Sequence, residues 1–150
     1  MFRYERPQKG RMRQFHQIGI EYLGLCDGLA DAEIIGCGAR ILDDLGVLDR
    51  CTLHLNSLGD SESRQAYRAA LVDFLNAHEA DLSEDSRTRL TSNPLRILDS
   101  KDAGDRAIIA EAPRLDAFLN DGSRRHFDSV TGALDGAGIS WSFDPLLVRG

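Results

Sequence analysis

The sequence predicts an α+β fold, and three observations carry that reading. Residues 13–23, Arg-Gln-Phe-His-Gln-Ile-Gly-Ile-Glu-Tyr-Leu, split at period two, as a strand does. The stretches 31–45, 61–78 and 123–135 space their apolar residues for helices and carry cap residues at their ends. Between the last two, Pro94 and Pro113 break the chain into short pieces.

The strand of residues 13–23 shows His16, Ile18, Ile20 and Tyr22 on one face and Phe15, Gln17, Gly19 and Glu21 on the other. Met1 to Glu5 supplies an antiparallel partner, and Arg6 to Met12, with Pro7 and Gly10, makes a long basic loop between them. The first helix begins at Asp31 as N-cap, places Ile34, Ile41, Leu42 and Leu45 inward, and ends at Gly46. Cys51 to Leu55 alternates as a strand that Asn56-Ser57-Leu58-Gly59-Asp60 ends. The second helix runs from Ser61 to about His78, with Tyr67, Ala70, Leu71, Phe74 and Leu75 in one stripe. Ser83 to Leu90 is a short polar helix, and Leu95 to Leu98 a short extended run. Ile108 to Leu119 is helical around the break at Pro113. Ser123 to about Asp135 is the last helix, with Phe127, Val130 and Leu134 inward, and Ile139 to Phe143 is a final strand. The ends break off in mid-pattern, which points to a piece of a larger protein.

At 150 residues the chain has room for one domain or two small lobes, and 42% apolar residues are enough for a core. No apolar run approaches the roughly 20 residues that cross a bilayer. Met1 to Arg6 lacks the apolar stretch of a secretory signal, so neither a membrane span nor a signal is expected. Cys26, Cys37 and Cys51 are odd in number and have no C-x-x-C spacing, which points to a reducing compartment rather than disulfides or zinc. The net charge of −6 is uneven: residues 1–16 hold five basic residues against Glu5, a net +4, and leave −10 to the rest. A basic end on an acidic body suits an anionic ligand, and a solvated charged turn fits the same pattern.

Chemistry concentrates in the hairpin. Gln17 and Glu21 stand on one strand face with Gly19 between them, each about 7 Å from it. Such a face offers a carboxylate and an amide to a small ligand with an ammonium group, or it is simply wet. Arg3, on the paired strand, adds a guanidinium suited to bidentate hold on phosphate or carboxylate. Lys9, Arg11 and Arg13 on the loop can close over a polyanion. The four histidines, His16, His54, His78 and His126, lack a carboxylate at telling spacing and read as structural.

The run Phe2-Arg3-Tyr4-Glu5-Arg6-Pro7-Gln8-Lys9-Gly10-Arg11, followed by Arg13-Gln14-Phe15-His16-Gln17 and Gly19-Ile20-Glu21, closely resembles motif 2 of the histidine–tRNA ligases, class II aminoacyl-tRNA synthetases. Asp31-Ala32-Glu33, Leu55-Asn56-Ser57-Leu58-Gly59, Tyr67 to Leu71 and Thr91 to Asp99 continue the resemblance in order. Leu147-Val148-Arg149-Gly150 is similar to the opening of the family's histidine-binding signature.

The resemblance implies part of the antiparallel sheet of a class II catalytic core plus a small, mainly helical insertion lobe. Residues 1–56 would be core, 57–138 the lobe, and 139–150 the return strand. Arg3 and Arg149 are then catalytic, holding the ATP α-phosphate, the second in place of a metal ion. Arg3, Glu5 and Arg11 bind ATP. Gln17, Glu21 and Arg149 bind histidine, with Glu21 on the α-ammonium. ATP is a substrate with magnesium on its phosphates, and no tightly bound cofactor or protein-held metal is implied. The implied partners are histidine, ATP and tRNA(His), in a cytoplasmic homodimer without membrane contact. Arg64, Arg68, Arg87, Arg89, Arg124 and Arg125 would face tRNA phosphates from the lobe.

Motif 1, motif 3, the tyrosine-containing continuation and an earlier acidic histidine ligand are absent from the sequence, and Gly24 to Gly28 departs from the usual run. The isolated chain is therefore expected to fold in its lobe but to be inactive. A non-catalytic, histidine-sensing regulatory paralogue of ATP phosphoribosyltransferase is the alternative. Arg3, Arg11 and Arg149 together, with the full Pro-Gln-Lys-Gly loop, favour the enzyme. A free-standing nucleic-acid-binding module rests only on the basic loop, against an acidic chain.

Overall fold

The computed structural model describes residues 1–148. Among these residues five α-helices and two short strands form, in the order α1 (Gly28–Asp44), β1 (His54–Leu55), α2 (Ser61–Ala77), α3 (Glu84–Ser92), α4 (Ala103–Ile109), α5 (Asp121–Gly136) and β2 (Ser142–Phe143). β1 and β2 pair in parallel, His54 opposite Ser142 and Leu55 opposite Phe143. Among the described residues no helix is long and apolar enough to cross a membrane.

Two apolar clusters divide the chain. The larger gathers Tyr67, Leu71 and Leu75 of α2 with Leu82, Leu90, Ile97, Leu98, Ile109 and Leu115, and Val148 reaches back into it. The α2 stripe is the one that helical spacing predicts. The smaller cluster joins Ala32 of α1 to Val130 and Leu134 of α5, with Leu53, Leu55, Ile139 and Trp141 packed against it. α5, placed in the lobe by its position in the sequence, thus packs on α1 and beside the parallel strands.

The helix ends follow local chemistry. Asp60 caps α2 by accepting from the Ser63 amide at 2.8 Å, and Ser83 caps α3 through the Ser86 amide at 3.2 Å. α1 starts earlier than expected: its cap is Asp27, which accepts from the Ala30 amide at 2.9 Å. Asp31 instead sits in the first turn, and its carboxylate meets His126 Nε2 at 2.8 Å. At the far end Gly46 (φ +68°) donates to Asp43 and Val47 donates to Leu42, the paired closure that a left-handed glycine allows. α5 begins at Asp121 because Asn120, not Ser123, supplies the cap.

Three expectations change in the structure. Leu95 to Leu98 is not extended: Pro94–Asp99 is a 3-10 helix. Pro94 at its start has no amide to lose, and the tight turn buries Pro94, Ile97 and Leu98, the last two in the larger cluster. The helix expected over residues 108–119 is split into α4 and a 3-10 turn at Leu115–Phe118. On α1 it is the small face, Gly28 and Ala32, that meets α5, while Ile41 and Leu45 stay exposed. A Cβ at Gly28 would lie 2.8 Å from Ser129 Cβ and 2.9 Å from the His126 carbonyl, so the helices cross too closely for the larger face to be used.

The predicted hairpin forms only near its open end and at its loop. Phe2 bridges Gln14 and Gln8 bridges Arg11, both antiparallel. The Arg3 amide donates to Arg13 O at 2.9 Å and the Phe15 amide to Met1 O at 3.0 Å. Residues 16–27 take no strand pairing and are exposed, Ile18 and Leu23 included. A ribbon of two strands is marginal without further strands or a packed face, and here neither is supplied.

Gly59 joins β1 to α2 at φ +64°, and a Cβ there would lie 2.8 Å from Ser63 Cβ and 2.9 Å from Leu119 Cδ2. Gly59→Ala should lower unfolding stability by about 2–4 kcal/mol, combining left-handed strain with overpacking. Gly19→Ala is the control, since no atom lies within 4 Å of its Cβ position. Urea denaturation of both variants gives the comparison, and equal midpoints would refute it.

Candidate active site

Three of the predicted site residues converge. Glu5 is half-buried at the root of the basic loop, between guanidinium groups from both of its sides. Arg11 Nη2 donates to Glu5 Oε1 at 2.7 Å, and Arg11 Nε closes on Glu5 Oε2. Arg3 Nε lies 3.4 Å from the same Oε2 and donates to Met12 O at 3.1 Å. Its guanidinium carbon sits over the Phe15 ring, 4.6 Å from the centroid. Arg13 Nε donates to the Glu5 carbonyl at 2.9 Å, and its guanidinium faces Tyr4. The local reason is the antiparallel pairing of residues 1–3 with 13–15, which brings alternate side chains of the two segments to one side.

Gln17 and Glu21 are elsewhere. Both lie on the exposed stretch, and no hydrogen bond or ion pair among the described residues joins them to the arginine cluster. Gly19, between them, is open on all sides. Arg149 lies outside the described residues. Of the lobe arginines, Arg64 Nη1 donates to the Gly59 carbonyl at 3.0 Å and Arg89 pairs with Asp85, while Arg68, Arg87 and Arg125 are exposed.

A second feature escaped the sequence reading. A cleft of about 740 Å³ opens between α1, the loop after β1 and the start of α5. Ile34, Ile35, Leu55, Phe127 and Val130 line it, with Asn56, Asp60, Asn120, Ser123 and the Asp31–His126 pair among its polar residues. The caps of α2 and α5 lock together there: Asn120 Nδ2 donates to Asp60 Oδ2 at 2.6 Å, and the Asn120 amide donates to Ser63 Oγ at 3.2 Å. Hydrogen bonds from the Ser63 amide, the Ser63 hydroxyl and Asn120 hold the Asp60 carboxyl below its ordinary range. Asn56 Nδ2 donates to the Leu147 carbonyl at 3.2 Å, tying the end of β1 to the segment that precedes Arg149. In the sequence Asn-Ser-Leu-Gly-Asp reads as a strand end and as part of the family resemblance, and the cap residues Asp60 and Asn120 are the available signal for the cleft.

Among the described residues one carboxylate, that of Asp105, is fully buried. It accepts from the Ser83 amide and hydroxyl, each at 2.8 Å, and from the Ser86 and Ser100 hydroxyls, each at 2.6 Å. Burial alone raises its pKa. The hydrogen bonds from Ser100, the Ser83 amide, Ser86 and the Ser83 hydroxyl outweigh burial and hold it at about 2.

No family model matches the sequence. Relatives do, along the whole of it. The histidine–tRNA ligase of Rhodospirillum rubrum is 61% identical over 150 residues, which is 100% of this chain and 36% of the relative. That of Thermosynechococcus vestitus is 57% identical over the same span, 35% of its own length. The chain therefore spans about a third of the curated relatives it matches. Among solved structures, apo S. aureus histidyl-tRNA synthetase superposes with a TM-score of 0.63 at 33% identity, covering 85% of this chain and 29% of that one. By sequence along its whole length, and by the fold shared with that synthetase, the chain belongs to the histidine–tRNA ligase family, as the counterpart of about a third of one member.

Proposed function

We propose that the chain serves, within a whole protein, ATP-dependent activation of histidine and transfer of the histidyl group to tRNA(His). The observation that carries this reading is the Arg3–Glu5–Arg11 cluster in a chain 61% identical to a ligase over its full length. In the first step a carboxylate oxygen of histidine attacks the α-phosphorus of ATP in line, and pyrophosphate leaves. Negative charge builds on the α-phosphate oxygens, and the Arg3 guanidinium, with Arg149, stabilises it. Arg11 holds the nucleotide from the loop. Glu21 takes the α-ammonium of histidine and Gln17 a neighbouring polar atom, which orients the attacking carboxylate. In the second step the terminal ribose hydroxyl of tRNA attacks the adenylate carbonyl, and AMP leaves. No side-chain nucleophile is needed in either step.

Magnesium arrives with the ATP phosphates as part of the substrate. The cluster built on α2, α3 and α4 is the lobe that meets the tRNA, and residues 1–56 and 139–150 belong to the catalytic part. The whole protein works as a cytoplasmic homodimer. Every relative named above is a ligase, which favours this reading over the regulatory paralogue.

The test is a chimera: the R. rubrum ligase with its matching segment replaced by these 150 residues. It should support histidine-dependent ATP–pyrophosphate exchange within about tenfold of its parent. A folded, soluble chimera with no exchange would refute the proposal. In an active chimera, Glu21→Gln should raise the histidine KM by about 10- to 100-fold, the equivalent of one charge-assisted hydrogen bond, with the ATP KM little changed. An unaltered histidine KM would remove Glu21 from the site.

A further inference from the structure

We infer that Asn56 is a positioning residue for Arg149, acting through the backbone of residues 145–147. The inference deepens the functional reading and rests on the α-phosphate role given there to Arg149. Asn56 directly follows β1, at the head of the loop that leads into α2. Its Nδ2 donates to the Leu147 carbonyl at 3.2 Å and to the Pro145 carbonyl at 3.4 Å, across 91 and 89 positions of the chain. Its Oδ1 accepts from the Ser57 amide at 2.9 Å. A carboxamide nitrogen carries two hydrogens, and each has its own carbonyl here, so the group is held in one orientation.

The segment that Asn56 grips is fixed at both of its ends as well. The Asp144 amide donates to the Leu55 carbonyl at 2.9 Å, and the Leu146 amide to Asp144 Oδ1 at 3.0 Å. Val148 is 6% exposed and packs into the cluster built on α2. Arg149 comes next in the chain, one peptide or about 3.8 Å further on. Fixing Leu147 and Val148 therefore limits where the Arg149 guanidinium can reach. Asn56 ties the loop entering α2 to the segment that carries this arginine, which lowers the ordering left for the reaction.

The experiment compares Asn56→Asp, Asn56→Ala and Arg149→Gln in the chimera, read by histidine-dependent ATP–pyrophosphate exchange. Asn56→Asp keeps the volume and the acceptor for Ser57, but it turns an oxygen towards two carbonyls. It should lower kcat by about 10- to 100-fold, the scale of a group misplaced by about 1 Å, with a smaller change in the ATP KM. A residue that only filled space would leave kcat of Asn56→Asp unchanged, and that result would overturn the inference. Asn56→Ala combined with Arg149→Gln should be no slower than Arg149→Gln alone within about twofold, because the first acts through the second. Losses that multiply would overturn it too. On the 150-residue chain, hydrogen exchange at the Leu147 and Val148 amides should quicken by about tenfold in Asn56→Ala, while the α2 amides keep their protection. Unchanged rates at these two amides, or a loss shared by α2, would overturn the clamp whatever the chimera does. A wild-type chimera without exchange would instead overturn the functional reading, and the Arg149 role with it, while the amide rates still report the clamp.

Discussion

Replacing Arg3 with glutamine in the chimera should reduce kcat for histidine-dependent exchange by about 100- to 1000-fold, the loss typical of one donor aimed at developing charge. Arg3 is held at three points: its Nε bonds the Met12 carbonyl at 3.1 Å, lies 3.4 Å from Glu5, and its guanidinium stacks on Phe15. Its Nη ends therefore need no reordering when the α-phosphate arrives. Arg3→Lys keeps the charge but not the planar fork, so it should recover only part of the loss. A fall below about tenfold in Arg3→Gln would mean that the α-phosphate charge is met elsewhere.

Asp105→Asn should destabilise the 150-residue chain by about 3 kcal/mol, because one amide oxygen cannot replace two carboxylate oxygens among four buried donors. Three hydroxyls and one amide, from the start of α3 and the turn before α4, close on this carboxylate. Without it, Ser83 loses its link to Ser100 and the two segments separate. Acid should have the same effect for the same reason. The folded carboxyl titrates at about 2 against an ordinary 3.8, so its stabilisation is complete above the unfolded value and disappears as pH falls from about 4 towards 2. That shift corresponds to about 2 kcal/mol. Urea denaturation between pH 7 and pH 2 should show this loss in the wild type and a flatter profile in Asp105→Asn. Parallel profiles, or a midpoint unchanged by the substitution at pH 7, would place the stability of the lobe elsewhere.

The hairpin shows where a sequence pattern stops short of structure. Alternation over residues 13–23 predicts a two-faced strand, but pairing is confined to residues 1–3 with 13–15, and it is this short pairing that brings Arg3, Glu5 and Arg11 into one neighbourhood. Gln17 and Glu21 share a strand face only if further strands hold that segment extended. Over the described residues no such strands cover it, and residues 16–27 stay exposed. A strand depends on partners outside its own sequence, whereas a helix closes its hydrogen bonds within itself.

That difference separates what was legible from what was not. Asp60, Ser61 and the Tyr67–Leu71–Leu75 stripe are local, and α2 forms as they dictate, as do the glycine closures after α1 and α5. The charge asymmetry lies in the opening residues, and the family resemblance runs in ordered blocks from Phe2 to Gly150. Tertiary packing decided the rest. Leu95 to Leu98 is a short apolar run that suits a strand or a helical turn equally, and the lobe core selected the 3-10 turn. Gly28 and Ala32 became the buried face of α1 because α5 approaches more closely than a larger side chain permits. Asp105 is an unremarkable acidic residue in the sequence, since the serines that bury it lie 5 to 22 positions away on two separate segments. Local spacing can specify caps and stripes, but a carboxylate held by distant hydroxyls exists only once the chain has folded around it.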